Sequence, residues 1–279
     1  MANSALILGG GGVTGVAWEL GLLTGLAEAG VDLATADLVV GTSAGAAVAA
    51  QITSGTPLAT LYAAQLAPRD TEITARIGLA VMATFGLAML RTRDPQRYRA
   101  HIGAKALAAR TVPEAERRTV ISSRLPSHTW PDRRLLITAV DAASGEFVVF
   151  DRDGGAGLVD AVGASCAVPM VWPPVTIAGR RYIDGGIRSA TNADLAAGYE
   201  RVVVIAPIPG GTGPMASVAT QVAALRQAGA QVLVIAPDKA ARHAIGRNVL
   251  DPARRAPSAR AGRAQAVAVA ASAAAIWSP

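Results

Sequence analysis

Apolar and polar positions alternate in short blocks along the chain. The first block, Ser4-Ala5-Leu6-Ile7-Leu8, is an unbroken run that stops at four consecutive glycines, Gly9 to Gly12. A run this short, bounded by turn residues, predicts a strand buried on both faces. Over 14–29 the apolar residues recur instead at helical spacing (Val16, Leu20, Leu23, Leu26, Ala27), and Gly30 supplies the stop. A second buried strand is predicted over 37–40 and a small-residue helix over 44–51. Strand, helix, strand, helix is the rhythm of a parallel sheet with helical crossovers.

Residues 57–125 predict helical or irregular structure and no strand. Within them, 77–90 is apolar on every side and flanked by Arg76 and Arg91. Fourteen residues are too few to span a bilayer, which needs about 20. All-round apolarity calls for burial against protein or lipid, so the stretch reads as a core helix or as a lid or interfacial helix. Farther on, 134–140 and 146–150 are β-rich runs separated by Asp141-Ala142-Ala143-Ser144-Gly145, a hairpin signal. A helix is expected over 157–168, followed by breaks at Pro169, Pro173 and Pro174. Short strands at 175–177 and 181–183 flank Gly179 and lead into Asp184-Gly185-Gly186. Strands at 201–206 and 231–236 enclose a helix at 217–228, 207–214 is loop-like, and an alanine-rich helix is expected over 264–276. No repeat or linker divides the chain, so a single domain over 1–279 is expected.

Composition changes this picture in three places. The chain is 51% hydrophobic but only 4% aromatic, so Ala, Val, Leu and Ile must do the packing. The net charge of +6 is nearly all arginine, lysine occurring only at 105 and 239. Such a balance favours anionic surfaces. The arginines are scattered without interleaved aromatics, so a general compositional bias is the preferred explanation and nucleic acid is not expected as a partner. A single cysteine, Cys166, excludes an internal disulfide and a multi-cysteine metal site, and among Ala164, Ala167 and Val168 it reads as a small buried residue. No basic segment precedes Leu6-Ile7-Leu8, so no signal peptide is expected and the location expected is cytoplasmic. No metal or cofactor is expected, and the oligomeric state is left open.

The candidate chemistry begins at Val39-Val40-Gly41-Thr42-Ser43-Ala44-Gly45. Gly41 to Gly45 fits G-x-S-x-G, in which a sharp strand-to-helix turn exposes the serine above the sheet, although a plain glycine-rich turn fits the same letters. Gly41 and Gly45 have a steric reason, since the strained turn leaves no room for neighbouring Cβ atoms. The helix after Ser43 would direct its positive end at a developing anion. A serine also needs a base and donors for the oxyanion. Gly10, Gly11, Gly12 and Gly15 can crowd backbone N–H groups near one point. They also spell G-x-G-x-x-G, but a dinucleotide site asks for an acidic residue ending the second strand. Here that strand ends in Gly41-Thr42-Ser43, and Asp32 lies before it, so nucleotide binding becomes a minority reading. Among three histidines, His101 and His243 lie in arginine-containing helical stretches; only His128, in a loop, could join a Ser-His-Asp triad. Asp184 follows a β-rich run and precedes Gly185 and Gly186, which places a carboxylate at the mouth of a sheet, although Asp-Gly-Gly is also a common turn.

Taken in order, the glycine loop, G-x-S-x-G and Asp-Gly-Gly resemble the patatin-like phospholipase family. Ala164-Ser165-Cys166-Ala167-Val168-Pro169 with Pro173-Pro174, and Asn192, resemble further segments of that family. The matched segments spread over about residues 4–200. The resemblance implies a three-layer α/β/α hydrolase with a mostly parallel central sheet, its core over about 4–200, and a C-terminal strand and helix region completing the sheet and its cover. It implies a Ser-Asp dyad without a catalytic histidine: Ser43 as nucleophile, Asp184 as general base, and the Gly10 to Gly12 amides as oxyanion hole. The implied substrate is a carboxylic ester of a lipid or phospholipid; the apolar 77–90 stretch is expected either to line the acyl site or to make peripheral contact with a membrane. Two positions depart from the family pattern. Thr14 stands where Arg or Lys is usual, and Ala193-Asp194 follows Asn192 where a proline is common. The rival readings are acyl transfer from the same acyl-serine, against which Thr42 counts because related acyltransferases often carry histidine there, and a non-catalytic lipid- or nucleotide-binding protein.

Overall fold

The computed structural model describes residues 4–68, 75–210 and 214–277. In chain order they form β1 (Ser4–Leu8), α1 (Gly12–Glu28), β2 (Leu38–Gly41), α2 (Ala44–Ile52), α3 (Leu58–Leu66) and α4 (Leu79–Arg91). Helices α5 (Pro95–Ala108) and α6 (Glu114–Arg124) precede the hairpin of β3 (Arg134–Asp141) and β4 (Phe147–Phe150). Then come α7 (Leu158–Ser165), β5 (Val175–Ile177), β6 (Arg180–Asp184), β7 (Arg201–Ile205), α8 (Val218–Gln227), β8 (Gln231–Ile235), α9 (Lys239–Ile245) and α10 (Arg255–Trp277). As the sequence predicts, no described residue between β2 and β3 is in a strand.

The eight strands form one sheet in the order β5-β6-β3-β2-β1-β7-β8, with β4 also paired to β3. Strands β3, β2, β1, β7 and β8 are mutually parallel, and β4 and β6 run antiparallel to β3. Alternate residues of a strand face opposite sides, and both sides here are apolar. Leu6, Leu8, Val39, Ile137, Val203 and Ile205 pack under α1, α2, α7, α9 and α10. Ala5, Ile7, Leu38, Val40, Val202 and Val204 pack under α8 and the turn around Ala193 and Ala196. The result is the expected three-layer α/β/α arrangement with a mostly parallel central sheet.

One element at the C-terminal end differs from the sequence expectation. Helix α10 begins at Arg255 rather than 264, because its first turns carry arginine, proline and serine and show no apolar stripe. It packs through small residues. A Cβ on Gly21 of α1 would strike the Ala259 carbonyl, and one on Gly262 would strike the Trp18 carbonyl, so the two backbones nearly touch. Helix α9, the helical stretch expected around His243, is short, basic, and held by Asp238, whose side chain accepts the Ala241 N–H.

The pairing around β3 positions the site. Ile137 pairs with both Gly41 and Phe150, and Ala139 pairs with both Val148 and Asp184. Since β4 supplies Phe150 and Val148 along one edge, Gly41 and Asp184 share the other. Strand β2 runs up that edge and stops at Gly41; β6 runs down the opposite way and stops at Asp184. Two strands thus meet end to end across Thr138, and both chains must turn away there.

Candidate active site

At the end of β2 the chain makes a sharp turn. Ser43 has φ 54° and ψ −116°, a positive φ that a non-glycine residue adopts only under constraint. Strain of this kind costs on the order of 1–3 kcal/mol and persists where neighbours over-determine it. Both polar groups of the Ser43 backbone are held. Its N–H donates to Ser165 Oγ at 2.9 Å, and its carbonyl accepts the Cys166 thiol at 3.1 Å. The flanking glycines have no room for side chains: a Cβ on Gly45 would enter the Leu8 backbone, and one on Gly41 would lie 2.5 Å from Ala46 Cα. The steric reason read from the sequence is therefore met in detail.

Asp184 reaches the same point from β6. Its N–H donates to the Ala167 carbonyl at 3.0 Å, so residues 165–167 brace the backbones of both Ser43 and Asp184. One carboxylate oxygen, Oδ1, accepts the Gly186 N–H at 2.7 Å, which fixes the plane of the group. The other, Oδ2, lies 2.7 Å from Ser43 Oγ and accepts its proton. Burial pushes the Asp184 carboxyl up to about 7, against the lowering effect of those two hydrogen bonds. The same burial, with the Asp184 charge beside it, pushes the Cys166 thiol up to about 12, so Cys166 is an inert, structural thiol.

The glycine loop closes the site from β1. Gly10 differs from the expectation that all three glycine amides face the reacting centre: its N–H donates to the Ala190 carbonyl at 2.8 Å. Gly10 lines the wall beside Ser43, but Gly11 and Gly12 supply the free N–H groups, neither meeting an acceptor among the described residues. Gly12 has φ +61° and lies so close to the Val249 carbonyl that a Cβ would sit 2.5 Å from it. Helix α1 starts at Gly12 and α2 at Ala44, and neither has a side-chain cap. Two uncapped helix starts at one cavity concentrate unpaired N–H groups and positive potential there. Thr14, the departure from the family pattern, is fully buried; its N–H and Oγ1 both bond the Val249 carbonyl, at 3.1 and 3.2 Å, tying the loop to the segment before α10. Gly15 donates to the Gly11 carbonyl at 2.8 Å and closes the first turn of α1. Glu19 bonds the Gly9 N–H from below at 3.1 Å. Its burial pushes the carboxyl well above the usual range, against the lowering effect of the Gly9 hydrogen bond.

Ser43, Asp184 and Gly10 to Gly12 open onto a cavity of about 350 Å³. The rest of its wall is mainly apolar, with Ile77, Phe85, Val168, Ile187, Ile208 and Leu250 prominent. That size and lining suit an acyl chain or a similar small apolar group. No described histidine lines it. His128 bonds the Ser122 hydroxyl and carbonyl at the end of α6, His101 lies in α5, and His243 in α9.

A family model described as patatin-like phospholipase matches residues 6–197, more than half of the chain. The chain belongs to the patatin-like phospholipase family. This is a family of lipid hydrolases. Two crystal structures are similar to this patatin-like chain. VipD from Legionella pneumophila is 13% identical with a TM-score of 0.48, over 97% of this chain and 67% of VipD. The type III effector protein ExoU is 16% identical with a TM-score of 0.39, over 98% of this chain and 53% of ExoU. The patatin-like chain thus spans about half the length of ExoU. No curated protein sequence matches it.

Several residues around the site were visible in the sequence only as letters. Asn192, at φ 49°, is fully buried and its amide donates to Thr42 Oγ1 at 3.0 Å and to the Ser189 carbonyl at 3.1 Å. Thr42 also bonds Thr138 at 2.9 Å. Thr42, Thr138 and Asn192 form a polar knot behind the meeting point of β2 and β6. Arg188 anchors it, donating to Asn192 Oδ1 at 2.8 Å and forming an ion pair with Asp194 at 2.6 Å. Gln221 of α8 bonds Ser189, Thr191, Asp194 and the Ala193 N–H. The aspartate that follows Asn192 where a proline is common therefore has a structural partner. The sequence signal for this network was Asn192, through the family resemblance; nothing in the letters linked Thr42, Thr138, Arg188 or Gln221 to it.

Proposed function

We propose that the chain is a serine acyl hydrolase that cleaves carboxylic esters of lipids through a Ser43–Asp184 dyad. The observation that carries this reading is the 2.7 Å hydrogen bond from Ser43 Oγ to a buried Asp184 Oδ2 whose pKa sits at about 7. A base is most useful when its pKa lies near the working pH. A normal carboxylate is too weak to draw the serine proton, and burial raises this one into the useful range.

In the first half-reaction Ser43 Oγ attacks the ester carbonyl as its proton passes to Asp184. The carbonyl oxygen becomes an anion beside the Gly11 and Gly12 N–H groups and the starts of α1 and α2. Collapse breaks the ester bond, and the departing alcohol takes the proton from Asp184, leaving an acyl-Ser43. Water then gives a proton to Asp184 and attacks the acyl carbonyl. The second tetrahedral adduct collapses to the carboxylic acid, and Ser43 recovers its proton. Nothing in the cycle requires a histidine. The apolar cavity wall favours a hydrocarbon acyl group, and family membership favours a lipid as its source.

Hydrolysis of p-nitrophenyl esters of graded chain length by wild type, Ser43→Ala, Asp184→Asn and His128→Ala tests the reading. Loss in the first two variants with full activity in the third is expected. Loss in His128→Ala would point to a triad instead.

A further inference from the structure

Helix α4 is apolar all round, yet it buries only one side. Ala88 is fully buried, and Phe85 and Met89 pack with it against Tyr98, Ile102 and Ile183. The other side carries Leu79, Met82, Leu87 and Leu90 at helical spacing, exposed to 91%, 57%, 56% and 85%. These four are most of the large hydrophobic side chains exposed among the described residues, whose remainder is Leu107, Ile208 and Val267. A fully buried core helix is therefore excluded. A contiguous apolar stripe of this kind marks an interaction surface.

The stripe is continuous with the cavity. Phe85 of α4, Ile77 just before it, and the exposed Ile208 all line the space that contains Ser43 and Asp184. One side of the helix thus forms the wall of the acyl cavity while its other side faces out. The helix ends are basic. Arg76 precedes it; Arg91 ends it, with Arg93 and Arg97 close behind, all exposed. Arg247 lies across a shallow basin from Arg76, which shares Ile77 and Val249 with the acyl cavity. Asp94, between Arg93 and Arg97, is engaged in capping α5, its Oδ1 accepting the Arg97 N–H at 2.7 Å. Among the described residues no helix is long and apolar enough to cross a membrane. At about 1.5 Å per residue, the 13 residues of α4 are too short to cross a hydrocarbon core of about 30 Å.

We propose that α4 docks on an anionic phospholipid bilayer, with Leu79, Met82, Leu87 and Leu90 entering the acyl boundary and the arginines at its ends meeting the phosphates. Apolar burial and electrostatic attraction act together in such contacts. A lipid drawn up beside α4 then reaches the cavity along Ile77 and Phe85 without its chain crossing water. Only the fate of that lipid rests on the dyad reading; the docking does not.

The test is co-sedimentation of the full chain with phosphatidylcholine vesicles, with and without phosphatidylglycerol, at low and high salt. The Leu79→Gln, Leu90→Gln double variant alters only exposed positions, and Arg91→Glu with Arg93→Glu alters the charge. Wild type should bind the phosphatidylglycerol vesicles in a salt-sensitive way, and each double variant should lose about tenfold or more in partitioning. Both should keep the wild-type melting temperature and short-chain ester rate. Undiminished binding by the leucine variant would overturn the proposal, as would equal, salt-insensitive binding to phosphatidylcholine alone. So would a wild-type dimer that the leucine variant converts to a monomer, since the stripe would then be a self-association face. An inactive wild type that still binds vesicles would defeat the dyad reading and leave the docking intact.

Discussion

Replacing Asp184 by Asn should abolish turnover and yet stabilise the fold, increasingly as pH rises from about 4 to 7. The carboxyl is shifted from 3.8 to about 7 by burial. A raised pKa means that the folded state holds the proton more tightly than the unfolded chain does. The stability this provides is complete below about pH 4 and is lost as pH rises through 7. At about 1.4 kcal/mol per unit, ionising the buried group opposes folding by roughly 4 kcal/mol at pH 8. Asparagine is never charged, keeps an acceptor for the Gly186 N–H, and can donate to Ser43 Oγ from its amide. It therefore avoids that penalty while filling the same space. Thermal melts of wild type and Asp184→Asn at pH 4 and pH 8 read this directly. Near pH 4 folded and unfolded chains bind this proton almost equally and the two melts should nearly coincide. At pH 8 the variant should melt higher, by roughly 5–10 °C for a chain of this size. A variant destabilised equally at both pH values would refute the reasoning, because the carboxyl would then be a structural hydrogen-bonding group with no charge penalty.

The same pKa sets the rate profile: kcat/KM for a short-chain ester should fall about tenfold per pH unit below pH 7, as Asp184 takes up a proton and ceases to act as a base. A flat profile between pH 5 and 7 would exclude this residue as the titrating base. Ser165→Ala leaves the Ser43 N–H buried without an acceptor, so denaturant unfolding should show a loss of about 1–3 kcal/mol. Its kcat should fall more than its KM rises, because the strained turn relaxes; an unchanged kcat would show that the turn needs no such brace. Gly45→Ala drives a methyl into the Leu8 backbone and should lower the melting temperature and abolish the fluorophosphonate reactivity of Ser43. A stable, reactive variant would contradict the crowding at that turn. Cys166 should resist a maleimide in the native protein and react only on unfolding, as its buried, protonated state requires; rapid native labelling would show that the site is open.

The framework of the fold was legible because its strands are short, apolar and bounded by glycine or turn residues. β1, β2 and β7 are buried on both faces and the edge strand β8 is partly so, and all four read as largely continuous apolar runs. Residues 4–8, 37–40 and 134–140 gave the parallel core, and Asp141 to Gly145 gave the hairpin. The C-terminal cover was read less well. Helix α10 binds α1 through backbone proximity at Gly21, Ala259 and Gly262, and close packing of small residues leaves no apolar periodicity to find. For 77–90, hydropathy alone could not separate a core helix from an exposed one, because a two-sided apolar helix has the same letters in either place. At the site, the positions of Ser43, Asp184 and the glycine loop followed from their places after strands. Two features did not follow. The commitment of the Gly10 N–H to Ala190 depends on a contact 180 residues away in sequence. The clamp of Ser165 and Cys166 on Ser43 becomes visible only when α7 is set beside α2. Both are tertiary hydrogen bonds between segments whose local patterns carry no trace of the partner.

The central claim is that Ser43 is a nucleophile activated by Asp184. Its most direct test is the intact mass and peptide map of the full chain after brief exposure to a fluorophosphonate at pH 8. A single adduct on the peptide carrying Ser43 is predicted, absent from Ser43→Ala, slowed at least a hundredfold in Asp184→Asn on the scale of general-base catalysis, and unchanged in His128→Ala. An adduct on a different residue, or equal labelling of Ser43 with Asp184 replaced, would contradict the account.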